Sequence, residues 1–425
     1  VPSPDILKIT VSDRAARAVK QGEPWVFRKS VVHIENPGCE SLTADIHSPD
    51  GVFLARGLYD PDALFTVRIL SRGAKTDFDT AWFCKRIERA RKIRQPLESE
   101  GTNGYRLIHG ESDGLPGLVV DRYDKTFVMK VYCAAWLGLA GTLAEALELA
   151  LGAENIVLRT DRGTAASAGA GAPLKNGAVL KGSGAPAVFS ENGLLFEADP
   201  VSGQKTGFFL DQRENRARAG KLAAGKTVLN VFSHTGGFSV YAAAGGALKT
   251  VSLDISGKAL EGAAANFRLN SGHPRVAACA HETMEGDAFE LMKKMAGDKI
   301  KFGMVIIDPP SFAAKRADVR EALTAYGRLA RAGLRLLEDN GTLVASSCSP
   351  RVPADAFFRA VEGAAREFGR PLRIIEKTGH AADHPVKFKE TAYLKCLLAE
   401  APPRGPGNFS PGLSVTGVNS AVKNR

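Results

Sequence analysis

The C-terminal half of this 425-residue chain predicts an α/β fold built on a doubly wound, Rossmann-like parallel sheet. Three observations carry that prediction. From Val228 onward short apolar strands alternate with helical runs; the stretch VLNVFSHTGGFSVYAAAGG joins the first strand to the first helix through a glycine turn; and acids stand at the ends of successive strands. Parallel strands need long crossovers, and helices supply them.

The elements follow in order. Residues 1–75 carry ILKITV, PWVF, VFLARGLYD and LFTVRIL, short apolar runs separated by turn residues, and predict a small β-barrel. Residues 76–188 predict a central α+β domain: DTAWFCKRIERARKIRQPL and WLGLAGTLAEALELAL are helical, and GLVVDRYDKTFVMKVYC between them is a hairpin. Within this domain, Gly163 to Ala187 is rich in Gly, Ala and Pro without apolar period, the composition of a flexible loop. The α/β domain spans 189–400, with strands in TVLNVF, TVSLDI, MVIID and GTLVASSC, helices in KALEGAAANFRLN, Ala317–Leu337 and Ala354–Phe368, and a closing antiparallel strand in TAYLKCLLA. Residues 401–425 hold no acid and few large apolar side chains, and are expected to be a disordered tail.

An apolar fraction of 44% supplies real cores, and a net charge of +10 favours a polyanionic partner. No run of the ~18–20 apolar residues that span a bilayer is expected, nor a signal peptide, so the reading is cytoplasmic with no membrane. Six cysteines, Cys39, Cys84, Cys133, Cys279, Cys348 and Cys396, lack CxxC or Cys/His spacing, against a disulfide framework and against a metal site. The absence of GxGxxG disfavours a dehydrogenase.

Ligands of a doubly wound sheet bind beyond the carboxyl ends of its strands. In SHTGGF, Gly236 and Gly237 allow close backbone approach, and the following helix offers unpaired N–H groups. Asp254 follows near the roughly 20-residue spacing at which an acid takes ribose hydroxyls. Asp287 in EGDAF and Asp308 in VIIDPPSF extend the acidic rim. Such a rim repels a diphosphate but suits S-adenosylmethionine, which has free hydroxyls, an amine and a cationic sulfur. In KTGFFLDQRENR, Phe208 and Phe209 precede Asp211, Gln212 and Arg213, a lid that excludes water and supplies hydrogen bonds; Arg216 reads equally as half of a buried salt bridge.

At these residues the chain resembles the PUA-containing class I methyltransferases of bacterial large-subunit (23S) rRNA typified by RlmI, which methylate cytosine C5. The resemblance extends to about Ala399 and rests on GEPWVFRKSV, RLIHGESDGLPGLVVDRYD and GQKTGFFLDQRENR, followed in order by NVFSHTGGFSV, LDIS, GDAF, DPPSF and SSCS. It implies a PUA-like RNA-binding barrel, a central domain and a class I methyltransferase sheet, with S-adenosylmethionine as cofactor and the large-subunit rRNA or its precursor as partner. It implies also that Phe232, Ser233, Thr235 and Gly236 cradle the methionine portion. Asp254 beside Ile255 would hold the ribose, Asp287 beside Ala288 would meet the adenine amine, and Asp308 with Pro309 would line the reactive centre.

Carbon 5 of cytosine is a poor nucleophile until a thiolate adds to C6. Cys348 is the cysteine at the C-terminal end of a predicted sheet strand, and Asp308 is the group able to stabilise a proton at N3. Ser311 follows DPP where this family usually has Lys, and with no cysteine in that motif the base for the C5 proton stays unassigned. Trp25, Arg28 and Lys29 set an aromatic ring beside positive charge, as RNA binding requires, although Trp25 and Phe27 also fit a core. The helix CKRIERARKIR adds a basic face. Two other readings remain open: methylation of another base, such as guanine N7, which needs no cysteine, and a noncatalytic RNA-binding assembly factor. The sequence does not decide between monomer and homodimer.

Overall fold

The computed structural model describes residues 6–35, 42–161, 163–165, 174–313 and 315–403. Cys39, residues 166–173 of the Gly/Ala-rich run and nearly all of the expected tail lie outside them. The first 72 residues supply β1 (Leu7–Val11), α1 (Asp13–Lys20), β2 (Trp25–Phe27), β3 (Val31–Glu35), β4 (Thr43–His47), β5 (Phe53–Tyr59) and β6 (Phe65–Arg72). They form one six-stranded sheet, ordered β2-β6-β5-β4-β1-β3. Alternation of the strands buries Ile9, Ile46, Val67 and Ile69 in its interior.

The middle region holds α2 (Thr80–Ser99), β7 (Gly104–His109), β8 (Leu118–Tyr123), β9 (Thr126–Val131), α3 (Ala140–Leu151), β10 (Asn155–Thr160) and β11 (Ala178–Lys181) in a sheet ordered β11-β10-β9-β8-β7. Asp79 caps α2, its carboxylate accepting from Trp82 N at 2.7 Å. Asp124, at φ 55, closes the β8–β9 hairpin. Two expectations change here. Part of the segment read as a loop is β11, which finds hydrogen-bond partners on the edge of β10. Residues 134–151 form an 18-residue stretch apolar enough to match a membrane span, which the sequence reading did not expect; they fold as a 3-10 turn and α3, whose Leu143 and Leu147 pack in the middle core with Leu58 and Leu70 of the first sheet.

The rest contains the hairpin β12 (Ala187–Glu191) and β13 (Leu194–Ala198), then α4 (Arg213–Lys221), β14 (Thr227–Val231), α5 (Gly237–Ala244), β15 (Lys249–Asp254), α6 (Gly257–Leu269), α7 (Pro274–Ala278), β16 (Ala280–Glu285) and α8 (Ala288–Gly297). It closes with β17 (Phe302–Ile307), α9 (Val319–Leu336), β18 (Leu337–Ser347), α10 (Ala354–Glu367), β19 (Arg373–Thr378) and β20 (Lys395–Ala401). The seven-stranded order is β16-β15-β14-β17-β18-β20-β19, parallel as far as β18. Strand β17 shows why a central parallel strand reads as one apolar run: Val305 and Ile307 face one helical layer, Met304 and Ile306 the other. The closing strand β20 is not at the edge. It lies antiparallel between β18 and β19, and β19, whose side chains are mostly exposed, shows too little apolar pattern to be read from sequence.

The chain between β19 and β20 straps the regions together. Asp383 accepts from Arg213 Nη2 of α4 at 2.9 Å and from the Arg106 backbone N–H at 2.8 Å, while Ser112 Oγ donates to Pro385 O at 2.7 Å. Phe388 packs its ring 5.9 Å from that of Trp25.

Candidate active site

The chain leaves β14 through a turn that non-glycine residues rarely adopt. Phe232 and His234 have φ of 61° and 49°, and Gly236 follows at 72° as the cap of α5. Positive φ costs a side-chain-bearing residue about 1 kcal/mol or more, so neighbours must hold it. They do: Ser233 N donates to Leu253 O, and Asn266 Nδ2 to Thr235 O at 2.8 Å. The two glycines have separate tasks. A Cβ on Gly236 would stand 2.8 Å from Ala263 Cβ, so this glycine lets α6 approach; one on Gly237 would stand 3.0 Å from Arg216 Cδ and project where the turn meets the pocket.

That pocket, about 210 Å³, opens past the carboxyl ends of β14, β15, β17 and β18. It brings together most of the expected residues: Phe232, Ser233 and Thr235 from the turn, Asp254 and Ile255 after β15, Asp308 and Pro309 after β17, Cys348 after β18, and Asp211 and Gln212 from the lid. Asp254 is pinned, Oδ2 accepting from His234 N at 2.8 Å and Oδ1 from Ser256 N at 3.0 Å. Each oxygen keeps a further lone pair for a hydroxyl. Ile255 beside it is 73% exposed, a flat apolar surface at the rim.

Two atoms in this pocket show what it is built to hold. Asp211 Oδ1 and Ser233 Oγ, in residues that line it, are buried without a hydrogen-bond partner among the described residues. A native fold tolerates such atoms where a ligand completes them. A carboxylate awaiting a donor, a second carboxylate free for hydroxyls and phenylalanine side chains around them fit a nucleoside bearing an ammonium group. S-adenosylmethionine meets that description.

The lid is a 3-10 turn over Leu210–Gln212 running into α4. Gln212 Nε2 donates to Asp308 Oδ1 at 2.8 Å, Asn215 Nδ2 supports Gln212 Oε1 at 2.6 Å, and Thr378 Oγ1 supports Asn215 Oδ1 at 2.6 Å. Asp211 Oδ2 accepts from both Lys205 Nζ and Tyr393 OH at 2.8 Å. Burial acts to raise the Asp211 carboxyl, but Lys205 together with His384 and Arg106 outweighs it and holds the group below the ordinary carboxylate range. Asp308 moves the other way, to about 7, because burial and the nearby Asp211 charge both oppose its ionisation. The Cys348 thiol is pushed up to about 11 by burial and then by Asp308, so it rests protonated, donating to Pro309 O at 3.8 Å.

Other expected residues are elsewhere. Asp287 is exposed and caps α8, accepting from Phe289 N and Glu290 N, and Ala288 is buried behind it; neither lines the pocket. Gly236 shapes the turn without lining it. Arg213 turns away to Asp383, and Arg216 forms a buried bidentate pair with Glu191 at 2.9 and 2.6 Å while its stem still borders the pocket. Trp25 is buried: it stacks on Phe65 at 4.8 Å and donates to Glu111 Oε1 at 3.2 Å, so it joins regions of this chain and offers no platform for RNA. Arg28 and Lys29 remain exposed, Arg28 bonding the Pro61 carbonyl. Ser311 ties two site loops, its hydroxyl 3.1 Å from Ser349 Oγ. Lys205, His234 and Tyr393 were not singled out from sequence. Lys205 stood inside the quoted GQKTGFF, but Tyr393 carried no local signal.

A second cavity, an open cleft of about 880 Å³, lies between the first sheet, the middle sheet and the methyltransferase-like sheet. It shares Gln204, Lys205, Phe209, Pro310 and Cys348 with the first pocket. Cys348 therefore stands in the wall between two cavities.

The Asp308 shift has a stability consequence. Raised from 3.8 to about 7, the carboxyl keeps in the folded chain a proton that the unfolded chain releases, so its stabilisation is complete below pH 4 and lost as pH rises through 7. Asp308→Asn preserves the acceptor for Gln212 and never ionises. We expect the variant to be more stable than the wild type at pH 8, by on the order of 1–3 kcal/mol, with the difference shrinking toward pH 4. Thermal melts at both pH values check this, and equal or lower stability at pH 8 contradicts it.

A family model described as S-adenosylmethionine-dependent methyltransferase matches residues 179–400, and a PUA-like domain model matches residues 9–72. Among curated proteins, the chain is 43% identical over 401 residues to a ribosomal RNA large subunit methyltransferase of Deinococcus radiodurans, covering 93% of this chain and 97% of that one. It is 35% identical over 399 residues to ribosomal RNA large subunit methyltransferase I of Shewanella amazonensis, covering 92% and 99%. Among solved structures, a candidate methyltransferase complexed with SAH superposes with a TM-score of 0.75 at 23% identity, over 92% of this chain and 99% of that one, which shows a shared fold.

Proposed function

The chain belongs to the S-adenosylmethionine-dependent methyltransferase family, in its RlmI-like branch with a PUA-like N-terminal domain, and from that premise we propose that it methylates C5 of a cytosine in large-subunit rRNA through a covalent bond to Cys348. The position of Cys348 carries the reading. A nucleophile that only the cofactor pocket could reach would have no base to attack; one in the wall shared with a cleft reaches both.

S-adenosylmethionine supplies an electrophilic methyl group on a sulfonium. The chain's own residues do the rest. Cys348 Sγ adds to C6 as its thiol proton passes to Asp308, which near neutrality is ionised in part of the population, and Asp308 hands that proton on to N3. The coupling works in both directions: a neutral Asp308 no longer repels the thiolate, and the Lys205 ammonium favours it. With C6 saturated, electron density at C5 takes the methyl group; loss of the C5 proton and expulsion of the thiolate then restore the ring. Phe208 and Phe209 keep water from this wall.

The test is nucleoside mass spectrometry of 23S rRNA from a deletion strain, before and after incubation with purified enzyme and S-adenosylmethionine. A single 5-methylcytidine that is missing and then restored is the expected result. Restoration of 7-methylguanosine instead would move the target to guanine.

A further inference from the structure

The cleft on the far side of Cys348 has a composition that the cofactor does not use. Its lining cations, Arg68, Arg106, Lys130 and Lys205, outnumber its acids, Glu111 and Glu390. Arg106 and Lys205 are matched by Asp121 and Asp211, whereas among the described residues Arg68 donates to the carbonyls of Phe65 and Tyr132. Lys130 forms no direct ion pair among the described residues, Asp161 acting on it only at longer range; its ammonium lies 5.4 Å from the ring centroid of Tyr132. Tyr132 is the exposed aromatic of this wall, 43% accessible. Its backbone is fixed on both sides, the N–H donating to Gly117 O at 2.9 Å and the carbonyl accepting from Arg68 at 3.2 Å.

We propose that this cleft receives one unpaired pyrimidine nucleotide of the RNA, with Tyr132 as the stacking platform and Lys130 as the phosphate contact; the proposal rests on the RNA methyltransferase reading above. A base within a helical stack cannot present C6 to a half-buried thiol, so the target must leave the stack. An exposed ring on a fixed backbone replaces the lost stacking, and the Lys130 ammonium, outside any direct ion pair, accepts the phosphate charge. Trp25 cannot fill this part, because the fold has already spent its ring and its N–H on Phe65 and Glu111.

Three measurements on the full-length enzyme test the site. Wild-type enzyme irradiated with a 23S rRNA transcript carrying 4-thiouridine should crosslink through a peptide containing Tyr132. Tyr132→Ala should raise KM for the transcript roughly 10-fold, Tyr132→Phe should restore it, and S-adenosylmethionine affinity should not change in either. Lys130→Gln should reduce the salt dependence of RNA binding by about one phosphate contact. Crosslinks confined to the N-terminal domain, or a Tyr132→Ala enzyme with wild-type KM, overturn this site while leaving the methyltransferase reading intact. If Tyr132→Ala fails to fold, the wild-type crosslink decides. No methylation of rRNA by the wild type would overturn both.

Discussion

Cys348→Ala is expected to abolish methyl transfer to rRNA, by about 10³-fold or more, while S-adenosylmethionine affinity stays within about twofold of wild type. The separation follows from where the thiol sits. Its sulfur is in the wall between pocket and cleft, and the donors and acceptors assigned to the cofactor, Asp254, Asp211 and Ser233, do not depend on it. A covalent step also leaves a trace. RNA bearing 5-fluorocytosine should form a denaturant-resistant adduct with the wild type, because fluorine at C5 cannot leave as a proton does after methylation, and the Ala variant should form none. Near wild-type methylation by that variant, or an adduct mapped to Cys84 or Cys396, makes Cys348 structural and favours a target that needs no nucleophile.

Asp254→Ala is expected to weaken S-adenosylmethionine binding by about 10- to 100-fold, equivalent to roughly 1–3 kcal/mol, the loss of a charge-assisted hydrogen bond. The same carboxylate holds His234 N and Ser256 N, so its removal also releases the turn in which Phe232 and His234 sit at positive φ. Both effects point the same way. Calorimetric titration reads the sum, and unchanged affinity would remove Asp254 from the cofactor site.

Much of this site was legible before folding because its residues mark where apolar runs end. Asp254, Asp308 and Cys348 each close or directly follow a strand, and in a parallel sheet those ends converge on one rim. Asp287 meets the same criterion, yet a carboxylate two residues beyond β16 can turn back onto the N-terminal N–H groups of α8, and its Oδ1 does. Local sequence cannot separate an acid that faces a ligand from one that caps its own helix.

The linear order of residues by itself determined the strand–helix alternation, the glycine turn after β14 and the place of Cys348 directly after a sheet strand, since these depend on side-chain period and backbone freedom within a few positions. Only the tertiary structure decided which polar groups meet. Tyr393, 182 residues from Asp211, donates to it; Arg213 reaches across to Asp383 and leaves the pocket; Trp25 is buried between regions, and Tyr132 is left open in the cleft. A buried polar atom takes whatever partner the packed chain brings within about 3 Å, and that partner comes from segments whose distance along the chain carries no information about their distance in space.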